Sequence, residues 1–350
     1  MGSRNQTPTE ADVAALAGVS QSAVSRAFTP GASVAAETRR KILGAARRLG
    51  YHPNLIARAL SAKRSNIIGL AARNLENPFY AQVVKELSER LSATARHLLL
   101  FAASADETSI KAIEPFLSYQ IDALILAATS PAKPLVAQCR KIGIPVVLIN
   151  RDSLLAGVST VRGQNRRAGE VVAGFLVAGG HSRFAFIGGP EISSISGERQ
   201  AAFERELARL GKGPVTVRRG NYTFEGAQAA ARVLLSETPR PDAIFCASDY
   251  MAFAAIDVAR REFGLAIGVD LSIVGVDDVA EAGLAYDLTT FSQPPGALAD
   301  AAIALIDAHM LAHDAAGEKR EVPGDLIVRG SARIPVSGVM SHDGRRTWKP

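Results

Sequence analysis

Five polar side chains fall on one face of a short helical stretch: Gln21, Ser22, Ser25, Arg26 and Thr29, in and just after GVSQSAVSRAF (Gly18 to Phe28). None is acidic and none is large and apolar. Ala23, Val24, Ala27 and Phe28 fall on the other side at helical spacing. Gln pairs with adenine edges, Arg with guanine or a phosphate, and serine hydroxyls adapt to either. The chemistry that suits such a face is reading the major groove of a duplex; the bland alternative is a merely polar surface.

The elements around it suit that task. A helix–turn–helix unit needs a small residue in its first helix, a Gly in the turn and an aliphatic plug in the second helix; Ala14, Gly18 and Val24 have that spacing, with Val19 also inward. Thr9 can cap the first helix, with Asp12 placed to reach back in a capping-box-like pair. Ser20 caps the second helix. A third runs from about Glu37 to Leu49, with Ile42, Leu43, Ala46 and Leu49 inward and Arg39, Arg40, Arg47 and Arg48 near its outer side, and Gly50 stops it. In YHPNLIARALSAKRSN, Pro53 blocks simple continuation. Asn54 can then cap a helix from Leu55 to about Ser61, too short to be stable alone.

Charge follows this layout. Of the net +6, the first 64 residues carry ten Lys/Arg against three Asp/Glu, a balance of +7, and the rest of the chain balances at −1. A cationic segment on a near-neutral body is the electrostatic arrangement of a nucleic-acid reader.

From Ile67 the pattern changes. Apolar runs recur between amphipathic stretches: IIGLAA, HLLLFAAS, ALILAATS, PVVLIN, RFAFIGG, AIFCAS and LSIVGVDD. Strands apolar at every position and alternating with helices predict parallel sheets covered on both faces, here enough for two α/β lobes. A cleft between such lobes is lined by loops at the carboxyl ends of strands. Asn77, Thr129, Ser248, Asp249 and Asp277 sit at such ends, the plainer alternative being that Asp249 or Asp277 caps the following helix. The tail SHDGRRTWKP has no periodic pattern and reads as mobile.

Composition is that of a globular protein, with 47% hydrophobic and 21% charged residues. No apolar run is long enough to span a bilayer, and the polar start MGSRNQTPTE has no signal-peptide core, so a cytoplasmic protein without membrane partners is expected. Cys139 and Cys246 read as reduced thiols, Cys246 buried and inert. No phosphate-binding loop and no nucleophile elbow is present. His309 and His313 are four apart on a helix, but with no third ligand they read as complements to the helix dipole. No cofactor, metal or catalytic residue is expected.

DVAALAGVSQSAVSRAF followed by ETRRKILGAARRLGYHPNLIARALSAKRSNIIGL resembles the N-terminus of LacI/GalR-family bacterial transcriptional regulators. The likeness continues through NPFY, AFIGGP, ASDYMAFAAI, LSIVGVDD, LTTFSQP and DLIVRGS, about Thr9 to Ser331. The resemblance implies an all-α helix–turn–helix headpiece (1–50), a hinge helix or linker (51–64) and a two-lobed α/β core like a periplasmic binding protein (65–340), before the tail (341–350). Three crossovers, near Gln164, Phe291 to Ser292 and Val322 to Gly324, would divide the core into an N-lobe (about 65–163 and 292–322) and a C-lobe (about 164–291 and 323–340).

The resemblance further implies a nucleoid-associated repressor. It would bind double-stranded operator DNA as a homodimer, with affinity switched by a sugar, sugar acid or sugar phosphate. Its DNA contacts would be Thr9, Ser20, Gln21, Ser22, Ser25 and Arg26, with Asn54, Arg58 and the minor-groove wedge Leu60 in the hinge. To the effector residues read from strand ends it adds Phe79, Arg199, Tyr222 and Gln293, with Gln164 at the first crossover and Arg73 at the pocket edge. The chain departs from the family pattern at Gln164, Ser248 and Val276, and Arg73 with Arg199 would favour an acidic or phosphorylated sugar. The competing reading is a sugar-binding protein or sugar-processing enzyme with an incidental helical N-terminus.

Overall fold

The computed structural model describes residues 8–29, 32–52, 64–72, 74–102, 119–127, 133–153, 155–311 and 316–349. The chain divides into two compact units, Met1–Ser65 and Asn66–Pro350.

In the first unit, local sequence signals set each boundary. Helix α1 (Glu10–Ala17) opens on a reciprocal capping box between Thr9 and Asp12 and ends on Gly18 at φ +65°, a left-handed conformation that costs glycine little. Helix α2 (Gln21–Phe28) is capped by the Ser20 hydroxyl, and α3 (Ala36–Leu49) ends on the left-handed Gly50. Val13, Ala14, Val24, Ala27, Ile42, Ala45, Ala46 and Tyr51 make the core. Arg39 departs from the expected outer position: its Nη1 donates to Ala27 O at 2.6 Å and its Nη2 to Ala32 O at 3.1 Å, tying the end of α2 to α3.

The second unit contains two sheets. The first holds β1 (Ile67–Ala72), β2 (His97–Ala102), β3 (Ala123–Ala127), β4 (Val146–Ile149), β5 (Val158–Gly163) and β11 (Lys319–Val322), in the order β11-β5-β4-β3-β1-β2 and parallel throughout. The second has β6 (Phe184–Gly188), β7 (Thr216–Arg219), β8 (Ala243–Cys246), β9 (Ser272–Asp277) and β10 (Thr289–Ser292) in parallel. An antiparallel edge of β12 (Leu326–Ile327), β13 (Val339–His342) and β14 (Arg345–Trp348) extends it. The helices are α4 (Pro78–Ala93), α5 (Lys133–Lys141), α6 (Asn165–Ala178), α7 (Ser194–Arg209), α8 (Phe224–Ser236), α9 (Asp249–Arg261), α10 (Ala280–Leu284) and α11 (Pro295–Leu311). The chain passes between the sheets after β5, after β10 and after β11.

The tail does not read as mobile here. Asp343 (φ +47°) and Gly344 (φ +75°) form the turn that an Asp-Gly pair favours in hairpins, and Trp348 is 6% exposed. Its ring meets Phe175 edge-on at 5.8 Å between centroids, and its Nε1 donates to Ser337 O at 3.1 Å. Burial of that aromatic holds the hairpin on the sheet edge.

Cys139 and Cys246 are free and buried, and burial pushes the Cys139 thiol up to about 11. His309 Nε2 meets the Ser159 hydroxyl at 2.7 Å, and His313 lies outside the described residues. Among the described residues, no cluster of His, Cys, Asp or Glu is placed to hold a metal, and no helix is long and apolar enough to cross a membrane.

Candidate DNA-reading face and effector cavity

In the first unit, Gln21, Ser22, Ser25, Arg26 and Thr29 are all exposed on one side of α2, while Val24 and Ala27 are buried on the other. Arg26 is exposed and lies along the helix, its Nε donating to Ser22 O at 3.2 Å. Ser20 meets Ser22 at 3.0 Å between hydroxyls and also serves as the helix cap. The Thr9 hydroxyl donates to Asp12 Oδ2 at 2.7 Å. Asn54, Arg58 and Leu60 lie outside the described residues.

In the second unit, a cavity of about 200 Å³ opens at the carboxyl ends of strands from both sheets. It gathers Asn77, Phe79, Arg199, Tyr222, Ser248, Asp277 and Gln293 of the expected set. Arg73 and Thr129 lie outside the described residues. Two expected residues stand elsewhere. Gln164 caps α6 without a side-chain bond and lines a separate, arginine-rich depression. Asp249 does not line the cavity but lies fully buried, accepting from the Thr290 hydroxyl and from Val279 N at 3.1 Å. A carboxylate at the first position of a buried helix is held by backbone and hydroxyl donors before a ligand reaches it.

The cavity's polar groups are held by one another. Arg199, 2% exposed, donates from Nε to Asn165 Oδ1 at 2.9 Å and from Nη1 to Ala247 O. Gln293 Nε2 donates to Asp277 Oδ1 at 2.6 Å, and Gln293 Oε1 is buried against Gly163 with no hydrogen-bond partner among the described residues. Burial pushes the Asp277 carboxyl up to about 7 against the opposing pull of Arg199 and the Gln293 hydrogen bond, and burial together with the Asp277 charge raises Asp249 far above the carboxylate range. Burial likewise raises the Tyr80 hydroxyl.

Backbone strain concentrates here. Of eleven non-glycine residues with positive φ among the described residues, five line the cavity: Asn74, Asn150, Asn221, Tyr222 and Asp277. Gly189 must lack a side chain, because a Cβ there would run into the Tyr222 ring. The second Gly of AFIGGP thus leaves room for the Tyr222 ring at the cavity.

Sequence reasoning did not single out Asn74, Tyr80, Asn150, Arg151 or Asn221, all of which line the cavity. Asn150 and Arg151 follow β4 as Ser248 follows β8, so the strand-end rule reaches them. Asn221 pairs with Tyr222 in a turn whose left-handed backbone Asn tolerates best.

A helix–turn–helix unit in the same chain as a two-sheet unit with a polar cleft defines a DNA-binding regulator with a ligand-sensing core. Comparison with known proteins agrees. Residues 10–54 match "Bacterial regulatory proteins, lacI family", and residues 173–332 match "Periplasmic binding protein-like domain". The chain is 30% identical over 328 residues to the HTH-type transcriptional repressor CytR of Escherichia coli (strain K12), covering 92% of this chain and 95% of that one. Its fold matches the lac repressor dimer bound to operator and the anti-inducer ONPF at a TM-score of 0.79, with 26% identity over 93% of this chain and 99% of the other. It also matches the CelR–cellobiose complex at a TM-score of 0.67, with 28% identity over 93% and 100%. The chain belongs to the lacI family of bacterial transcription regulators, and its relatives are regulators rather than enzymes.

Proposed function

We propose that the chain is a repressor that binds a pseudo-palindromic duplex as a homodimer, in the cytoplasm on the nucleoid. A small polyhydroxylated molecule held in the cavity alters that binding. Gln21, Ser22, Ser25 and Arg26 would read the major groove, with Thr9 and Ser20 at its phosphate wall and Asn54, Arg58 and Leu60 at the operator centre.

The observation that carries the effector reading is the convergence, around one small cavity, of Arg199, Asp277, Gln293 and the Tyr222 ring. Bidentate polar groups beside an aromatic face suit vicinal hydroxyls on an apolar ring. At about 200 Å³ the space falls below the roughly 300–1,000 Å³ of pockets for drug-sized ligands, so a single sugar unit suits it. Arg151 and Arg199 both face it, which favours a sugar carrying a carboxylate or phosphate.

The test is in two parts. Selection from random duplexes with the full chain is expected to yield a pseudo-palindrome whose affinity falls steeply with salt. A thermal-shift screen of sugars, sugar acids and sugar phosphates is expected to find a ligand that, at a hundred times its Kd, adds about 2.7 kcal/mol. No enriched sequence and no stabilising compound would overturn the reading.

A further inference from the structure

Arg162 is the next-to-last residue of β5, just before the chain first leaves the first sheet. It holds three carboxylates at once. Its Nη1 donates to Asp152 Oδ2 at 2.6 Å and to Glu198 Oε1 at 2.7 Å, and its Nη2 to Glu321 Oε1 at 2.7 Å. The side chain is 14% exposed, so these bonds are screened less than surface pairs. The carboxylates outweigh burial and raise the guanidinium further above its ordinary value.

The positions of the three partners give the cluster its meaning. Asp152 follows the cavity residues Asn150 and Arg151 in the loop after β4. Glu321 lies on β11, just before the third passage between sheets. Glu198 is on α7 of the second lobe, next in the chain to the cavity residue Arg199. Arg162 to Glu198 therefore joins the lobes, whereas Arg90 to Asp300 and Arg96 to Asp307 stay within one.

The passages themselves are packed together. Gly163 N donates to Asn150 Oδ1 at 3.4 Å, and a Cβ on Gly163 would strike Gln293 Oε1. Ser292 N donates to Asp325 O at 2.8 Å, and Asp325 N to Ser292 Oγ at 3.0 Å. A shift of α7 therefore moves the cavity guanidinium and the Glu198 carboxylate as one body.

We infer that Arg162 is a positioning residue for regulation. Through Glu198 it clamps α7 to the first lobe and selects one arrangement of the lobes, without touching ligand or DNA. The inference rests on the proposed function only for its consequence at DNA. Releasing the clamp spreads the core over more lobe arrangements, and apparent DNA affinity falls in proportion to the competent fraction.

The discriminating variants are Glu198→Gln, which removes the cross-lobe charge, and Asp152→Asn, which removes a bond inside one lobe. Hydrogen exchange on the full chain should rise at least tenfold in the segments around 163–165, 292–294 and 322–325 for E198Q and stay near wild type for D152N. With the duplex selected by the wild-type chain as probe, E198Q should bind at least fivefold more weakly with the same base preference, and D152N should bind as wild type. Arg162→Met, which also frees Asp152 and Glu321, should perturb exchange and duplex affinity at least as much as E198Q, and adding E198Q to it should change nothing further. Equal effects of E198Q and D152N, or none from either, would overturn the clamp. A failure to select any duplex would instead count against the proposed function, and the exchange experiment would still decide the clamp.

Discussion

The exposed face of α2 and the cavity of the second unit solve recognition in opposite ways. On α2 the chemistry-bearing side chains are exposed, and beyond them the helix needs only caps and a small core. In the cavity, Arg199, Asp277, Gln293 and Ser248 are buried and held by Asn165, Ala247 O, the α9 backbone and one another, in a backbone with strained residues. A surface that reads a rigid polyanion can leave its donors to water until contact. A site that must hold a small molecule and respond to it is preorganised. Stability and recognition should therefore separate in α2 and be inseparable in the cavity.

The sharpest break of this contrast is Arg199→Met. It strips Asn165 Oδ1 and Ala247 O of their donor and leaves Asp277 without the opposing charge. Each buried acceptor left without its donor costs about 1–3 kcal/mol. The denaturant midpoint of the second unit should fall accordingly, and an unchanged midpoint would show that these bonds are idle. Arg26→Ala should do the reverse: about 1–3 kcal/mol lost in affinity for the selected duplex, with thermal unfolding untouched.

A smaller effect, visible as a slope, comes from Asp277. Its carboxyl is held up to about 7 in the folded chain, above its ordinary value when unfolded. Its contribution to stability is thus fully present below the ordinary carboxylate range and lost as pH rises through about 7. The wild-type melting temperature should decline over that window, and Asp277→Asn should flatten the decline. An unaltered slope would mean that Asp277 is not the group that titrates.

The same contrast explains what the sequence disclosed. In the first unit, Thr9 with Asp12, Gly18, Ser20 and Gly50 mark its boundaries through interactions within a few residues, and each stands where local rules place it. Arg39 escaped because its partners, Ala27 O and Ala32 O, are supplied by the turn of the chain between helices. In the core, the seven apolar runs mark strands, six of them buried; HLLLFAAS instead forms the edge strand β2, where, with no further strand beside it among the described residues, Leu100 is 42% exposed. VSTVRG and KREV pass unnoticed because polar residues interrupt them, and Arg162 and Glu321 are there for the three-carboxylate cluster. Asp277 and Gln293 lie 16 residues apart and meet only when β10 pairs with β9. Gln164 illustrates the converse: adjacency to a crossover does not aim a side chain at the cavity, and the helix start turns it to the other depression. In the tail, the Asp343-Gly344 pair was the available hairpin signal, and Trp348 the apolar anchor that made it stable.

The most direct measurement is the affinity for the selected duplex across a panel of neutral sugars, sugar acids and sugar phosphates, taken in parallel on the wild-type chain and Arg199→Met. If the cavity governs DNA binding, one compound will shift wild-type affinity at least fivefold, within the range of allosteric coupling. Arg199→Met will still bind the duplex but will not respond. A duplex affinity indifferent to every compound, or an equal response without Arg199, would contradict the account.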